Sequence, residues 1–421
     1  MNQIETVIIV GAGASGLIAS RELLKKKKKI ILLEARDRLG GRANTLTHHN
    51  SDAIETGAEF IHGKLPISLK LVKEYRLKKI KTSGKMINLD KENEQLQEDE
   101  GKSWELIMKK MKKLKKDIPF AQFLNKYFAD DKYKHLIKSA ENFANGFDLA
   151  DTKKVSTFSL REEWSKEEDN QYRIEGGYKK LIDALSQDCV KRGGKIFTSE
   201  SVKKISWNKS KVTVITNNEN KFIGEKVIIT IPVGVWHSNK NAISFDPAIN
   251  KKINAFAEIG FGSIIKIILS FKTAFWDEQH KDAGFFFMRQ TIPTWWTQAP
   301  AKINQLTGWL GGGPAKKMKG KSDEEILEIA LRSLASAFDL QKNILKEMLI
   351  SSQICNWDKD EFSRGGYSFS MINSKAAKKE LRKSVDDVLF FAGEALYEGT
   401  MQGTVEAALW SGIDCARRAM K

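Results

Sequence analysis

Residues 7–16 read Val7-Ile8-Ile9-Val10-Gly11-Ala12-Gly13-Ala14-Ser15-Gly16, and the organisation of the chain is built outward from them. A short, β-branched run bounded by glycine reads as a parallel strand covered on both faces. A helical stretch follows from Leu17 to Leu24, and a second apolar run, Ile30 to Leu33, ends in Glu34, 18 residues beyond Gly16. Each part of this strand–turn–helix–strand unit has a physical task. Gly11 permits the tight turn, Gly13 lets backbone approach a pyrophosphate, and Gly16 lets the helix pack close to the strand. Ala14 and Ser15 lie on the same turn, where the helix N-terminus offers unpaired N–H groups and partial positive charge to phosphate. Glu34 ends the second strand and can accept hydrogen bonds from a ribose diol. The context favours a dinucleotide-binding unit over a glycine-rich turn in an unrelated α/β protein.

The remainder bounds the class of molecule. At 421 residues the chain has room for two or three domains and a sizeable core. Hydrophobic residues at 41%, charged residues at 29% and only 7 prolines argue against wholesale disorder and fibrous repeats. No apolar run approaches the roughly 20 residues that cross a membrane. The first residues lack a signal-peptide pattern, so the cytoplasm is the expected location. Cys189, Cys355 and Cys415 are odd in number and far apart, which excludes a disulfide framework, and the six histidines show no metal-ligand spacing. No metal is expected. A surplus of 70 Lys+Arg over 53 Asp+Glu, +17 in all, leaves nucleic acid, an anionic surface, an anionic ligand or a solvated exterior open.

The string Glu34-Ala35-Arg36-Asp37-Arg38-Leu39-Gly40-Gly41-Arg42 narrows the cofactor. It resembles the string after the second strand in the flavin-containing amine oxidases, the family of monoamine oxidases, polyamine oxidases and lysine-specific histone demethylases. The resemblance implies that Gly40, Gly41 and Arg42 lie against the FAD pyrophosphate and flavin, with Glu34, Ala35 and Arg36 on the nucleotide side. Glu55-Thr56-Gly57-Ala58-Glu59-Phe60-Ile61-His62-Gly63 is similar to the family loop beside the isoalloxazine, which places Gly57, Ala58, Glu59 and Phe60 there. Tyr172 to Tyr178 resembles the R-x-x-G-G element, and Ser201 to Ile205 the strand whose Val, here Val202, meets the adenine through its backbone. Val227 to Val235 resembles the return to the cofactor domain, and Leu389 to Glu394, with Gly393 and Glu394, the last FAD strand. A helix from about Gly403 and Thr404 would then aim its N-terminus at the flavin, whose reduced form carries negative charge.

The resemblance implies an α/β fold with a Rossmann-like, discontinuous FAD-binding domain, at 1–64, 172–238 and 386–421. Between these segments fall a helical insert, 65–171, and a mixed sheet and helix substrate-binding domain, 239–385. In the latter, Ser322 and Glu325 have capping-box spacing ahead of a helix expected over Asp323–Phe338. Asp90 to Gly101 reads as a hairpin tip or mobile loop.

For the chemistry, Lys266 stands in Ser263-Ile264-Ile265-Lys266-Ile267-Ile268-Leu269, a strand otherwise apolar on both faces. An ammonium there is costly unless compensated, and burial would lower its pKa. The family carries a Lys in this strand, held through a water to flavin N5. Trp357 and Tyr367 match aromatic residues at the flavin edge and in a cage that aligns a neutral amine. The second cage wall falls on Thr400, leaving a half-cage that Tyr397 could complete. His62 matches a histidine near the substrate amine in polyamine oxidases. Monoamine oxidases attach flavin through a Cys just before the cage Tyr, but Gly366 stands there and Cys355 is out of register, so FAD is expected to be non-covalent. Phe285-Phe286-Phe287-Met288 and Trp295-Trp296 read as core before substrate entrance.

The expected activity is oxidation of a small-molecule amine C–N bond to an imine, then an aldehyde, by hydride transfer to flavin N5 with O2 reduced to H2O2. Rival readings are an L-amino-acid oxidase, with Arg289 or Arg364 taking the carboxylate, a desaturase-type flavoprotein, and a flavoprotein that chiefly binds a partner. Two lysine-rich segments carry much of the charge. Lys25 to Lys29 reads as a solvated turn. Residues 104–118 form a basic amphipathic pattern, packed inward or in weak contact with an anionic membrane. No nucleic-acid motif accompanies the charge.

Overall fold

A computed structural model describes residues 4–47, 53–90, 104–166, 170–238 and 242–421; the loop expected at Asp90–Gly101 lies, after Asp90, outside the described residues. The strands that place the site are, in chain order, β1 (Thr6–Val10), β2 (Lys29–Leu33), β3 (Lys195–Phe197), β4 (Val202–Asn208), β5 (Lys226–Ile229) and β6 (Ile264–Phe271). They continue with β7 (Ala283–Phe287), β8 (Thr294–Trp296), β9 (Gln305–Gly311), β10 (Leu349–Asn356) and β11 (Leu389–Phe391). The helices are α1 (Ala14–Leu24), α2 (Pro66–Glu74), α3 (Lys134–Gly146), α4 (Asp323–Phe338), α5 (Ser374–Leu381) and α6 (Val405–Ala419).

The chain divides into two compact units. The first comprises Met1–Lys79, Arg173–Phe261 and Asp360–Lys421. Its centre is a parallel five-stranded sheet in the order β11-β5-β1-β2-β3. Val7, Ile8 and Ile9 are fully buried, as unbroken β-branched runs in a parallel sheet must be. The turn after β1 closes on Gly16, where a Cβ would stand 1.9 Å from the carbonyl oxygen of Gly11. Any side chain there would push α1 off the strand. Lys25 to Lys27, all exposed, form the turn after α1, the surface position expected of the lysine run.

The second unit comprises Ile80–Tyr172 and Gly262–Lys359. Its sheet runs β10-β6-β9-β8-β7 with Lys85–Asn88 at the edge. The pleat sorts β6 onto two faces. Ile265, Ile267, Leu269 and Phe271 enter a core with Ile326, Ala330, Leu331 and Leu334 of α4. That helix begins with the Ser322–Glu325 capping box. Phe286, Met288 and Trp295 share this core, whereas Phe285 and Trp296 fall on the opposite face of the sheet. The aromatic runs are therefore divided residue by residue between core and open face.

Residues 104–112 are helical. Ile107 and Met111 are fully buried, and Trp104 packs on Phe143 and Trp164 at centroid distances of 5.2 and 4.9 Å. The apolar stripe that a membrane would have to receive is occupied by the protein's own interior. Among the described residues, no helix is long and apolar enough to cross a membrane.

Candidate cofactor and active site

In the first unit the two glycine strings meet through backbone. Gly40 N–H donates to the carbonyl of Ala12 at 2.9 Å, and Gly13 and Gly40 form an isolated parallel bridge. Glu34, 4% exposed, ties the same loops together: its Oε2 accepts from Ala12 N–H at 2.8 Å and its Oε1 from Arg36 N–H at 3.0 Å. Arg36 turns its guanidinium to Asp360. Ala35 is the half-buried link between them.

The cradle fits a dinucleotide on three observations. A Cβ on Gly13 would meet nothing nearer than 3.9 Å, and one on Gly41 nothing nearer than 3.7 Å, so the missing side chains leave space that protein does not fill. Ser15 Oγ, at the start of α1, is buried and has no protein hydrogen-bond partner. An orphaned hydroxyl beside helix-terminal N–H groups suits a phosphate oxygen. Val202, at the start of β4, is buried in the same unit.

Arg42 and Glu394 do work that their motifs alone did not announce. Arg42 Nη1 donates to the carbonyl of Gly366 at 2.6 Å and to Glu394 Oε1 at 3.0 Å. Glu394 accepts from Ser368 N–H at 3.2 Å and from Ser368 Oγ at 2.7 Å. The backbone is thus gripped on both sides of Tyr367. Its ring is backed by Gly403, whose φ is +78° and where a Cβ would lie 2.6 Å from the Tyr367 ring. Glycine at 403 is what lets Tyr367 lie there. Thr404 caps α6, its side chain accepting from Ala407 N–H, and Gly393 N–H donates to Ser411 Oγ at 3.1 Å.

The loop beside this cluster is equally tied. Ala58 N–H donates to the carbonyl of Arg42 at 3.0 Å, which sets Gly57 and Ala58 against the cofactor string. Glu59 pairs with Arg173 at 2.9 Å, and that guanidinium lies 4.6 Å from the Phe60 ring centroid. His62 packs on Phe60 at 5.8 Å, and burial alone pushes its imidazole down to about 4, so the ring is neutral at neutral pH. Thr400 is half-buried in the turn before α6. Tyr397 is committed elsewhere, edge-on against Trp410 of α6 at 5.3 Å.

In the second unit, Lys266 is 1% exposed, with its ammonium 5.5 Å from the Trp296 ring centroid. It stands opposite Trp309 on β9 and Cys355 on β10. Two rings, Trp296 and Trp309, stand 5.9 Å apart on this face, with Phe285 6.2 Å from Trp296. The backbone N–H of Trp357, a residue 7% exposed, donates to the carbonyl of Ile264 at 3.2 Å, which puts it at the end of the Lys266 strand. Burial pushes the Cys355 thiol up to about 12, far from a reactive thiolate. Of the two arginines considered for a carboxylate, Arg289 lies in this unit, bonded to Asp90 and His135 at the surface. Arg364 lies in the first unit, its N–H on the Asp360 carbonyl. Among the described residues no group of three or more His, Cys, Asp or Glu could hold a metal.

Sequence reasoning missed Ser368, Lys378 and Gln402, which join this network, and Glu406, which accepts from Ile67 and Ser68 at the start of α2. Lys378 lies in Lys375-Ala376-Ala377-Lys378-Lys379, a stretch that looks like any solvated helix face.

A family model described as flavin containing amine oxidoreductase matches residues 14–420. Polyamine oxidase 5 of Oryza sativa subsp. japonica is 26% identical, over 98% of this chain and 88% of that protein. Lysine-specific histone demethylase 2 of Homo sapiens is 24% identical, over 97% of this chain and 52% of that protein. Among solved structures, putrescine oxidase bound to putrescine aligns with a TM-score of 0.81 at 20% identity, covering 99% of this chain and 98% of the other. Cyclohexylamine oxidase from Brevibacterium oxydans IH-35A aligns at 0.80 and 19% identity, covering 99% of each. The structural likenesses establish the α/β fold that these oxidases share. With the family model spanning nearly every residue, the chain belongs to the flavin containing amine oxidoreductases, and so to the flavin-dependent enzymes that oxidise amines.

Proposed function

We propose that this enzyme holds FAD without a covalent bond and oxidises a small aliphatic amine, of the diamine or polyamine kind, using O2 as acceptor. The observation that carries the reading is the grip on Tyr367. Arg42 and Glu394, both from strings matched to the cofactor, fix Gly366 and Ser368 on either side of that ring. A side chain so placed can align an amine against a cofactor held by the same residues. FAD, when bound, supplies the two-electron oxidation and, through O2, the route to peroxide. Overall, a primary amine, O2 and water become an aldehyde, ammonia and H2O2.

In this proposal Gly11, Gly13, Ser15 and Gly16 hold the pyrophosphate, Glu34 the ribose, and Val202 the adenine through its backbone. Gly57 to Phe60, with Gly393 and Thr404, line the flavin. The first unit is the cofactor-binding part; in the second, Lys266 and Trp357 stand on a dry aromatic face. Low polarity there favours the neutral amine that the oxidation requires. His62, Tyr367 and Thr400 line the amine site. Non-covalent binding is supported by Gly366, where a flavin-linked Cys would otherwise stand, and by the inert Cys355. The names of the polyamine oxidase and putrescine oxidase relatives support the choice of substrate.

A peroxide-coupled screen of monoamines, diamines, polyamines and L-amino acids tests the proposal on purified, yellow protein. Peroxide should appear with putrescine or longer polyamines, and acid precipitation should release the FAD. Turnover confined to amino acids, or flavin that stays with the pellet, would refute the substrate or the linkage respectively.

A further inference from the structure

We infer that α5 clamps the turn Tyr397–Gln402 and that Lys378 is a positioning residue for Thr400 and Tyr367. The inference rests on the reading that these two side chains face the amine. Lys378 is only 6% exposed, an unusual place for a lysine on a helix that carries two other lysines in its eight residues. Its ammonium has three protons to give. Its acceptors include the carbonyl of Tyr397 at 3.2 Å, Gln402 Oε1 at 3.0 Å and Ser370 Oγ at 3.3 Å. Two of these are the first and last residues of the turn, and Thr400 stands between them.

The same helix holds the turn from its other side. Arg382, four residues on and so on the same face, bonds Glu398, and it anchors to Asp414 of α6 at 3.0 Å. Thr400 is therefore carried on a turn fixed at Tyr397, Glu398 and Gln402 by two cations one helical turn apart.

From Gln402 the bonding continues toward Tyr367. Gln402 Nε2 donates to Ser368 Oγ at 2.9 Å, while Ser370 Oγ donates to Gln402 Oε1 at 2.7 Å. Ser368 Oγ then donates to Glu394, which accepts from Arg42. One run of hydrogen bonds, Lys378–Gln402–Ser368–Glu394–Arg42, thus reaches from the turn bearing Thr400 to the backbone beside Tyr367. Its geometry suits an ammonium. A methionine gives no donors, and the planar fork of arginine does not reproduce three converging bonds. The distance between the Thr400 and Tyr367 walls, and with it the width of amine admitted, is set by Lys378, which itself touches neither substrate nor cofactor.

The test compares Lys378→Met, Gln402→Ala and Thr400→Ala in the FAD-loaded full chain. Hydrogen exchange reads the turn directly: amides of 397–404 should exchange about tenfold faster in Lys378→Met, the scale of a lost hydrogen bond to a charged group. Protection of β1 and α1 should be unchanged. The ratio of kcat/KM for benzylamine to that for putrescine should shift in the same direction in Lys378→Met and Thr400→Ala, by about threefold or more. Unchanged exchange at 397–404 in Lys378→Met overturns the clamp. If that variant fails to fold, unchanged exchange in Gln402→Ala does so. A ratio that moves in Thr400→Ala but not in Lys378→Met overturns the positioning role alone. A ratio that stays fixed in Thr400→Ala overturns the underlying reading that Thr400 faces the amine.

Discussion

Lys266 lies buried beside Trp296, and His62 lies half-buried beside Phe60. The side-chain nitrogen of Lys266 lies 5.5 Å from the Trp296 ring centroid, where a π-face favours a cation. In the proposed reaction, a cation there would suit the negative charge that develops when O2 is reduced. Lys266→Met should therefore slow re-oxidation of reduced flavin by at least about tenfold, or 1.4 kcal/mol of barrier, while FAD affinity changes far less. Stopped-flow re-oxidation and a flavin titration separate the two, and an unchanged oxygen rate would remove the role. His62 carries no such charge. Burial lowers it from 6.5 to about 4, so the fold holds it neutral while the unfolded chain takes a proton near 6.5. Its contribution is complete above pH 6.5, falls as pH drops from 6.5 toward 4, and levels off below that. His62→Asn should lessen the loss of Tm across that window. Melting curves that stay parallel to the wild type would show that the enclosure of His62 is unimportant to stability.

At the scale of elements, α6 serves two sites with its first turn. Its N-terminus follows Gly403, behind Tyr367, while Glu406 reaches away to the start of α2. Glu406, 3% exposed, accepts from Ile67 N–H at 2.8 Å and from Ser68 N–H and Oγ at 2.7 Å, supplying the cap that Pro66–Glu74 does not make for itself. Glu406→Ala should cost about 1–3 kcal/mol by leaving buried donors unpaired. A fall in urea midpoint at constant slope is the expected signature, and Glu406→Gln should recover part of it. An unchanged midpoint in Glu406→Ala would show the cap to be dispensable. Sequence gave no hint of this role, because an acidic residue in a first turn already has a sufficient reason in the helix dipole. The capping box of α4 was legible because both partners lie within four residues. Lys378 was not, because its acceptors stand 8, 19 and 24 residues away and only the fold brings them to one ammonium.

Across the whole molecule the same distinction holds. The parallel sheet and the glycine cradle are legible because strand, turn and helix are contiguous over 6–34 and each glycine has a local steric cause. The sorting of Phe285, Phe286, Trp295 and Trp296 was not, since the pleat face depends on register with strands far away in sequence. Charge is the mildest of the global features: the turn at Lys25–Lys27 and, in residues 104–112, Lys109 and Lys112 are exposed. Sheet order has a consequence for biosynthesis. β1 and β5 are complete early and midway, yet β11, which closes the sheet beside β5, arrives only at Leu389–Phe391, and α6 later still. Until then a nascent chain exposes an unpaired parallel edge. A polypeptide interrupted before residue 389 should therefore keep that edge open to pairing with another chain.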